Sequence, residues 1–343
     1  MTQALSLSQI LRNTGHKITR VIVGKSKRRS IPGFFKEKIT APIETLQSPN
    51  FVTDKNQKSV KPFRTIVYSL IQSPAYSRSI RRINEIVKED QPDIIINFYD
   101  FLGGLYNFVH RPKAKFICIA HQFLIGHKDF DFPEGRKLDK LSLIIGNRIA
   151  SLGATKRLCL SFQHFEDIPH KKLFVVPPLL REEVKLIAEQ SNNHFLVYMV
   201  NHGYSEEVYQ YHKNHPEQPL FCFWDKSDAP VSMEVDKNLT FHQLDDQLFL
   251  EKMATCKGYV TTAGFESVCE AMYLDKPVLM VPVEGHYEQA CNAVDAQKAG
   301  AGIASDTFNI EKLDDYYSTH QKIGSHFKPW AGSAKQRFLE LLK

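Results

Sequence analysis

Two stretches in the C-terminal third put carboxylates, hydroxyls and small residues at short spacing. In TTAGFESVCEAM (residues 261–272), Gly264 follows the apolar run KGYV and precedes a helix-forming segment. A strand–glycine–helix corner leaves backbone N–H groups unpaired, and the helix macrodipole adds about half a positive charge. That combination receives phosphate, and Ser267 can add a hydroxyl donor. The same corner also serves many α/β proteins as a plain joint. Glu270 lies three residues past Ser267, on the same face and one turn deeper. A carboxylate there repels phosphate but accepts two hydroxyl hydrogen bonds, which suits the vicinal hydroxyls of a ribose. Glu266, nearer the N-terminus, reads as a carboxylate that favours the helix dipole. The second stretch, VEGHYEQACNA (283–293), repeats the logic with Glu288, Gln289 and Asn292 in the first turns of a helix. Such a cluster can read sugar hydroxyls, or it can be a capped, solvated helix start.

Two residues of the N-terminal half have types suited to proton transfer. Asp100 follows an apolar run at 92–98, and His121 follows another at 115–120. Either can take a proton from a hydroxyl at a cleft edge. The bland alternatives are a loop cap for Asp100 and a satisfied buried histidine for His121.

The elements that must hold these residues alternate. Apolar periodicity predicts a first helix closed by NTGH, then a strand, KITRVIV (17–23). It predicts a helix over 60–90 interrupted at Pro74 and buried strands PDIIINF (92–98) and KFICIA (115–120). A helix over 136–150 and strands at 156–161 and 172–177 follow. PPLLREEV (177–184) reads as a linker. The pattern then restarts, with strands at 195–200, 219–224, 238–244 and 276–282, a helix from about 266, and one ending at Gly300. Alternating strands and helices imply parallel sheets covered on both faces. The expected organisation is an N-terminal domain over 1–180, a second α/β domain over 181–325 and a C-terminal helix over 326–343, with a cleft between the domains.

At 343 residues the chain exceeds one ordinary core. Its net charge of +6 hides an asymmetry, because residues 1–180 hold 29 Lys and Arg against 14 Asp and Glu. A basic half beside an acidic half implies different partners, an anionic acceptor or membrane surface being one reading and a merely solvated face the other. Six scattered cysteines, none in a C-x-x-C pair, read as buried thiols of a reducing cytoplasm. Fourteen histidines show no metal-ligand spacing and no D-x-D stands at a strand end, so neither metal nor cofactor is expected. No apolar run reaches the roughly 18 residues that span a bilayer. The protein is therefore expected in the cytoplasm or peripheral at the inner face of the membrane, without a nucleic-acid partner.

The run 261–293, TTAGFESVCEAMYLDKPVLMVPVEGHYEQACNA, resembles the nucleotide-sugar site of GT-B glycosyltransferases. It is similar to the lipid-II-forming N-acetylglucosaminyltransferase and to the UDP-glucuronosyl and UDP-glucosyl transferases. The resemblance implies two Rossmann-like domains facing a cleft. It implies transfer of a sugar from a UDP-sugar to an acceptor, lipid or cell-envelope in nature, with inversion and without a metal. Thr262, Gly264, Phe265 and Ser267 then lie at the diphosphate corner, and Glu270 matches the ribose carboxylate. Glu288 and Gln289 match a sugar-reading pair, and Leu244 a segment that wraps the uracil. Gly203, in NHGYS (201–205), occupies the place of the first glycine-rich donor loop. His121 and Asp100 are the candidate bases. A nucleotide-sugar 2-epimerase and a non-catalytic UDP-sugar-binding relict share this pattern as alternatives. The resemblance also implies a buried strand and glycine-rich loop ahead of the first helix, a strand that the given sequence lacks.

Overall fold

The computed structural model describes residues 1–25, 31–48, 73–188, 190–199, 202–226 and 228–343. The part of the basic segment Lys25–Arg29 beyond Lys25, and the part of the expected helix before Ser73, lie outside them.

The N-terminal half runs α1 (Thr2–Arg12), β1 (Val21–Lys25), α2 (Gly33–Lys38), β2 (Ile43–Gln47), α3 (Ser73–Asp90), β3 (Ile94–Asn97), α4 (Phe101–His110), β4 (Lys115–Ala120), α5 (Lys137–Ala150), β5 (Lys156–Leu160) and β6 (Leu173–Val176). Pro74 sits in the first turn of α3, where its missing N–H costs nothing. The strand expected at 17–23 starts at Val21 and pairs in parallel with β2. The described strands form two separate sheets, β1-β2 and β3-β4-β5-β6.

The second half runs α6 (Glu182–Leu186), β7 (Phe195–Met199), α7 (Ser205–Asn214), β8 (Leu220–Trp224), β9 (Ser232–Asp236), β10 (Leu239–Gln243), α8 (Asp246–Thr255), β11 (Gly258–Thr261), α9 (Phe265–Tyr273), β12 (Val278–Met280), α10 (Tyr287–Lys298), β13 (Gly302–Ala304) and α11 (Ile310–Tyr317). Its seven strands make one sheet in the order β13-β12-β11-β7-β8-β10-β9. All pairs are parallel except β10 with β9. Phe195, Leu196, Val197 and Met199 of central β7 are fully buried, as a strand covered on both faces requires. β9, absent from the apolar pattern, is a mostly exposed, charged edge strand, a form that discourages further pairing. Gly300 has φ +83°, as a C′ glycine beyond α10 should.

Two helices close the molecule, α12 (Gly324–Gly332), which contains Pro329, and α13 (Ala334–Leu342). Where one C-terminal helix over 326–343 was expected, the chain folds as this pair. α13 returns to the N-terminal half: Lys156 Nζ donates to Leu341 O at 2.6 Å, and Arg337 pairs with Asp167. Trp330 Nε1 donates to Ser161 O at 3.0 Å. One hydrophobic cluster runs through both halves, from Ile117 and Leu160 to Phe265, Met272 and Phe338.

Candidate active site

The strand order reverses beside β7, with β8 on one side and β11 on the other. In open α/β sheets that reversal opens the crevice where ligands bind. The turn after β11 enters this crevice. Ala263 takes a left-handed conformation, φ 55°, costing a residue with a Cβ roughly 1–2 kcal/mol. Asn292 Nδ2 holds the turn by donating to Ala263 O at 3.0 Å. Gly264 is the N-cap of α9. A Cβ built on Gly264 would meet only Ser267 Oγ, at 3.7 Å, so the backbone can be approached closely. Thr261 and Thr262 are fully buried beside it, and among the described residues the Thr262 hydroxyl has no hydrogen-bond partner. A helix N-terminus under an open backbone has the geometry that can receive an anion.

Glu270 lies one turn deeper and is 4% exposed. Its carboxylate is gripped by a residue that the sequence reading placed in a linker. Arg181 Nε donates to Oε1 at 2.6 Å and Nη2 to Oε2 at 2.7 Å, while Nη1 pairs with Asp246. Burial pushes the Glu270 carboxyl above the ordinary glutamate range, and the guanidinium opposes it. A carboxylate carries about four lone-pair sites, so two remain beyond those Arg181 occupies.

The polar residues of α10 are also engaged. Gln289 Oε1 accepts from Val283 N at 2.8 Å and so fixes the loop before the helix. Glu288 Oε1 accepts from Gln122 Nε2 at 2.6 Å, a bond between the two halves. Leu244 is 57% exposed after β10, and Asp245 beside it caps α8 through Leu248 N. Gly203 lies in the short turn His202–Tyr204 after β7.

The structure brings His121 to this corner and leaves Asp100 elsewhere. The His121 ring stacks on Phe265, the first residue of α9, with centroids 4.3 Å apart. Nδ1–H donates to Leu160 O at 2.7 Å, and burial favours the neutral ring, whose lone pair then lies on Nε2. Nε2 faces Asp295 Oδ2 of α10 at 3.6 Å, both atoms being buried without a hydrogen bond. Burial lowers the His121 pKa to about 4 and raises that of Asp295 to about 7. The pair therefore meets as a neutral imidazole and a protonated carboxyl at mildly acid pH. Asp100 instead caps α4, accepting from Leu102 N at 2.8 Å and from Ser48 Oγ–H at 3.1 Å.

Arg181, Gln122 and Asp295 are the site residues that sequence reasoning missed. Arg181 carried no motif. Asp295 had a weak signal, one turn past Asn292 on an otherwise apolar helix face.

Similarity to known proteins is broad in fold and distant in sequence. The chain covers 100% of itself and 95% of Arabidopsis thaliana UGT89C1 in complex with UDP, at TM-score 0.64 and 15% identity. A complex of the same protein with UDP-L-rhamnose matches at the same values. The glycotransferase of kitacinnamycin matches over 98% of this chain and 94% of its own, at TM-score 0.64 and 13% identity. The spinosyn forosaminyltransferase SpnP matches over 100% and 96%, at TM-score 0.57 and 11% identity. No curated protein matches the sequence. These structures share the two-domain architecture expected from the run 261–293. The profile described as "Glycosyl transferase family 1" matches residues 13–319, nearly the whole chain, and the protein belongs to that glycosyltransferase family.

Proposed function

We propose that this glycosyltransferase moves a sugar from a UDP-sugar, bound by residues 195–305, to a hydroxyl acceptor held by the N-terminal half, with inversion and without a metal. One observation carries the reading. An open phosphate-binding corner, Ala263–Ser267, stands one turn above a buried carboxylate, Glu270, at the strand-order reversal. A diphosphate at the N-terminus of α9 is stabilised as charge builds on the departing oxygen, which is the work a metal would otherwise do. The ribose hydroxyls share the Glu270 carboxylate with Arg181. Gln289 supports the sugar subsite by fixing Val283, and Glu288 borders it beside Gln122. UDP and UDP-L-rhamnose in the UGT89C1 complexes support this donor class.

Titration calorimetry with UDP tests the reading. Glu270→Gln keeps the side-chain shape and removes the charge. A charge-assisted hydrogen bond is worth about 1.5–3 kcal/mol, so UDP binding is expected to weaken roughly 10- to 150-fold while the melting profile stays cooperative. Unchanged affinity removes Glu270 from the site. Since Gln289 holds a loop, Gln289→Ala is expected to weaken UDP and UDP-sugar alike; selective loss of the sugar nucleotide would show direct contact with the sugar.

The acceptor side follows from charge. Arg78 and Arg81 stand exposed on α3, while Arg82 is tied to Glu44 at 2.6 Å. We assign to this face an anionic lipid or cell-envelope acceptor. Among the described residues no helix is long and apolar enough to cross a membrane. Vesicle sedimentation that depends on acidic lipid and falls with salt supports the assignment; sedimentation indifferent to both overturns it.

A further inference from the structure

α10 touches both halves of the molecule. On one side Gln289 and Asn292 hold loops of the C-terminal half, the first through Val283 N and the second through Ala263 O. On the other, Tyr287 and Cys291 enter the apolar cluster of Phe116, Phe123 and Leu124. Asp295 faces His121, and Lys298 pairs with Asp131 at 2.7 Å. Tyr287, Cys291, Asp295 and Lys298 recur at helical spacing, so one face of α10 is docked on the N-terminal half. Glu288 stands half-buried in the first turn, between this face and the loop that Gln289 fixes.

The residue that meets Glu288 is braced. Gln122 lies in the turn His121–Gly126 at the carboxyl end of β4, the end at which parallel sheets bind ligands. Its neighbour His121 is fixed by Leu160 O and by the Phe265 ring. The Gln122 carbonyl accepts from Asn147 Nδ2 at 2.5 Å, and Asn147 Oδ1 accepts from the Tyr99 hydroxyl at 2.6 Å. Tyr99 takes a left-handed backbone conformation, φ 57°, which a side chain disfavours. Such strain persists where the surroundings over-determine a residue, and it clusters at ligand-binding sites. Burial raises the Tyr99 pKa, and so does the charge of Glu288, so the phenol stays a donor. Tyr99 and Asn147 thus hold the backbone from which the Gln122 side chain reaches across the seam.

That side chain donates from Nε2 to Glu288 Oε1 at 2.6 Å. The orientation of the amide is forced, because a carboxylate only accepts. Gln122 Oε1 is left as an acceptor on the other side of the amide, and the Glu288 carboxylate keeps about three of its four lone-pair sites. Two acceptors side by side, one from each half, suit a ligand that presents neighbouring hydroxyl donors. We propose that Gln122 is a specificity-determining residue of the donor site, which reads hydroxyls of the transferred sugar together with Glu288 across the seam between the halves. The inference rests on the donor reading above, which puts the sugar beside Glu288. It adds that the sugar subsite is shared. UDP needs only the C-terminal half, whereas selection of the sugar needs both. A site that hydrogen-bonds a substrate hydroxyl rejects an analogue that lacks it far more strongly than an apolar pocket rejects a methylene. Epimers, which differ only in the direction of one hydroxyl, are therefore told apart at this pair.

Titration calorimetry of the 343-residue chain with UDP, UDP-glucose, UDP-galactose and UDP-N-acetylglucosamine tests it. The parent is expected to rank the three sugar nucleotides. Gln122→Leu keeps the bulk of the side chain and removes the amide. It should leave UDP affinity at the parent's level and shrink the spread between the best- and worst-bound sugar nucleotide about 5- to 10-fold, the weight of one hydrogen bond. A second pair of variants separates reading from mere contact between the halves. Gln122→Glu sets two carboxylates together, and the melting temperature should fall. Adding Glu288→Gln restores the hydrogen bond with donor and acceptor exchanged. Melting should then return, but the parent's ranking should not, because the charge now sits on the other side of the seam. Return of both makes the bond a structural tie and overturns the proposal. So does a parent that binds UDP without ranking the three, or a Gln122→Leu chain that keeps the parent's spread or loses UDP as much as the sugar nucleotides. A parent with no affinity for UDP overturns the donor reading itself, and the proposal with it.

Discussion

The two halves of this enzyme solve the same packing problem to different degrees. The C-terminal sheet is continuous over seven strands, with all of β11 and every residue of β7 but Tyr198 buried. Among the described residues the N-terminal strands form two sheets, and helices pack against both. The difference shows where stability is concentrated. β7 has a strand partner on both sides; among the described residues, β1 and β3 each have a strand partner on one side.

The largest expected effect sits at the joint between the halves. Arg181→Ala leaves the Glu270 carboxylate buried and unpaired, and breaking one partner of a buried ion pair costs about 3–5 kcal/mol. Denaturant unfolding should show that loss in the transition of the C-terminal half. A cost below about 1 kcal/mol would mean that Glu270 reaches water when Arg181 is gone, and the donor side would then be more open than its burial implies.

Next comes a direct comparison of the two strand environments. Ile119→Ala, at a buried position of β4, should cost about 2–5 kcal/mol as a cavity-forming change. Ile96→Ala, in half-buried β3 beside a cavity of about 190 Å³, is expected to cost roughly half as much, because part of that side chain is not packed. Equal costs would erase the distinction between edge and interior in this layer.

A pH effect separates the interface from both cores. Between about pH 4 and 6.5 the native His121–Asp295 pair holds one proton, on Asp295, and the unfolded chain also holds one, on His121. Their contributions to the slope of stability against pH therefore cancel in that window. Asp295→Asn leaves a buried neutral His121 facing an unfolded state that binds a proton. Stability of this variant should fall, by up to about 1.4 kcal/mol per pH unit, as pH drops from 6.5 toward 4. Thermal melts at several pH values give the comparison, and curves parallel to the parent's would show that the pair does not exchange its proton on folding.

The smallest effect is expected at the rim of that cavity, which Arg20 and Asp90 line. Arg20 pairs with Asp90 at 2.8 Å but both are partly solvated. Arg20→Ala should cost no more than about 1 kcal/mol. A larger loss would make this ion pair, rather than the helices, what closes the rim of the layer.

Much of this organisation was legible in the amino acids. Continuous apolar runs such as KFICIA and FLVYMV located buried parallel strands, and the run 261–293 located the corner at Gly264 and the carboxylate below it. Local pattern fails where a residue's role depends on a distant partner. Nothing near Arg181 announces that it grips Glu270, 89 residues on. His121 read as a base candidate from its place after β4, yet its ring is covered by Phe265 and faces a carboxyl of the opposite half. β9 was invisible because its exposed residues have no apolar face to betray them. The first of the two closing helices, α12, was obscured by Pro329, which usually ends a helix and here lies within one.

The return of α13 to the first domain also bears on how the protein is made. Phe338, Leu341 and Leu342 complete a core begun by β4 and β5, and Arg337 reaches Val175 and Asp167. α13 lies about 160 residues downstream of β6. At synthesis rates of about 5–20 residues per second, the first domain waits roughly 8–30 s on the ribosome for the helix that covers it. During that interval its nascent chain presents an apolar seat to whatever is nearby, and a chaperone that occupies the seat would have to leave before the last helix can dock.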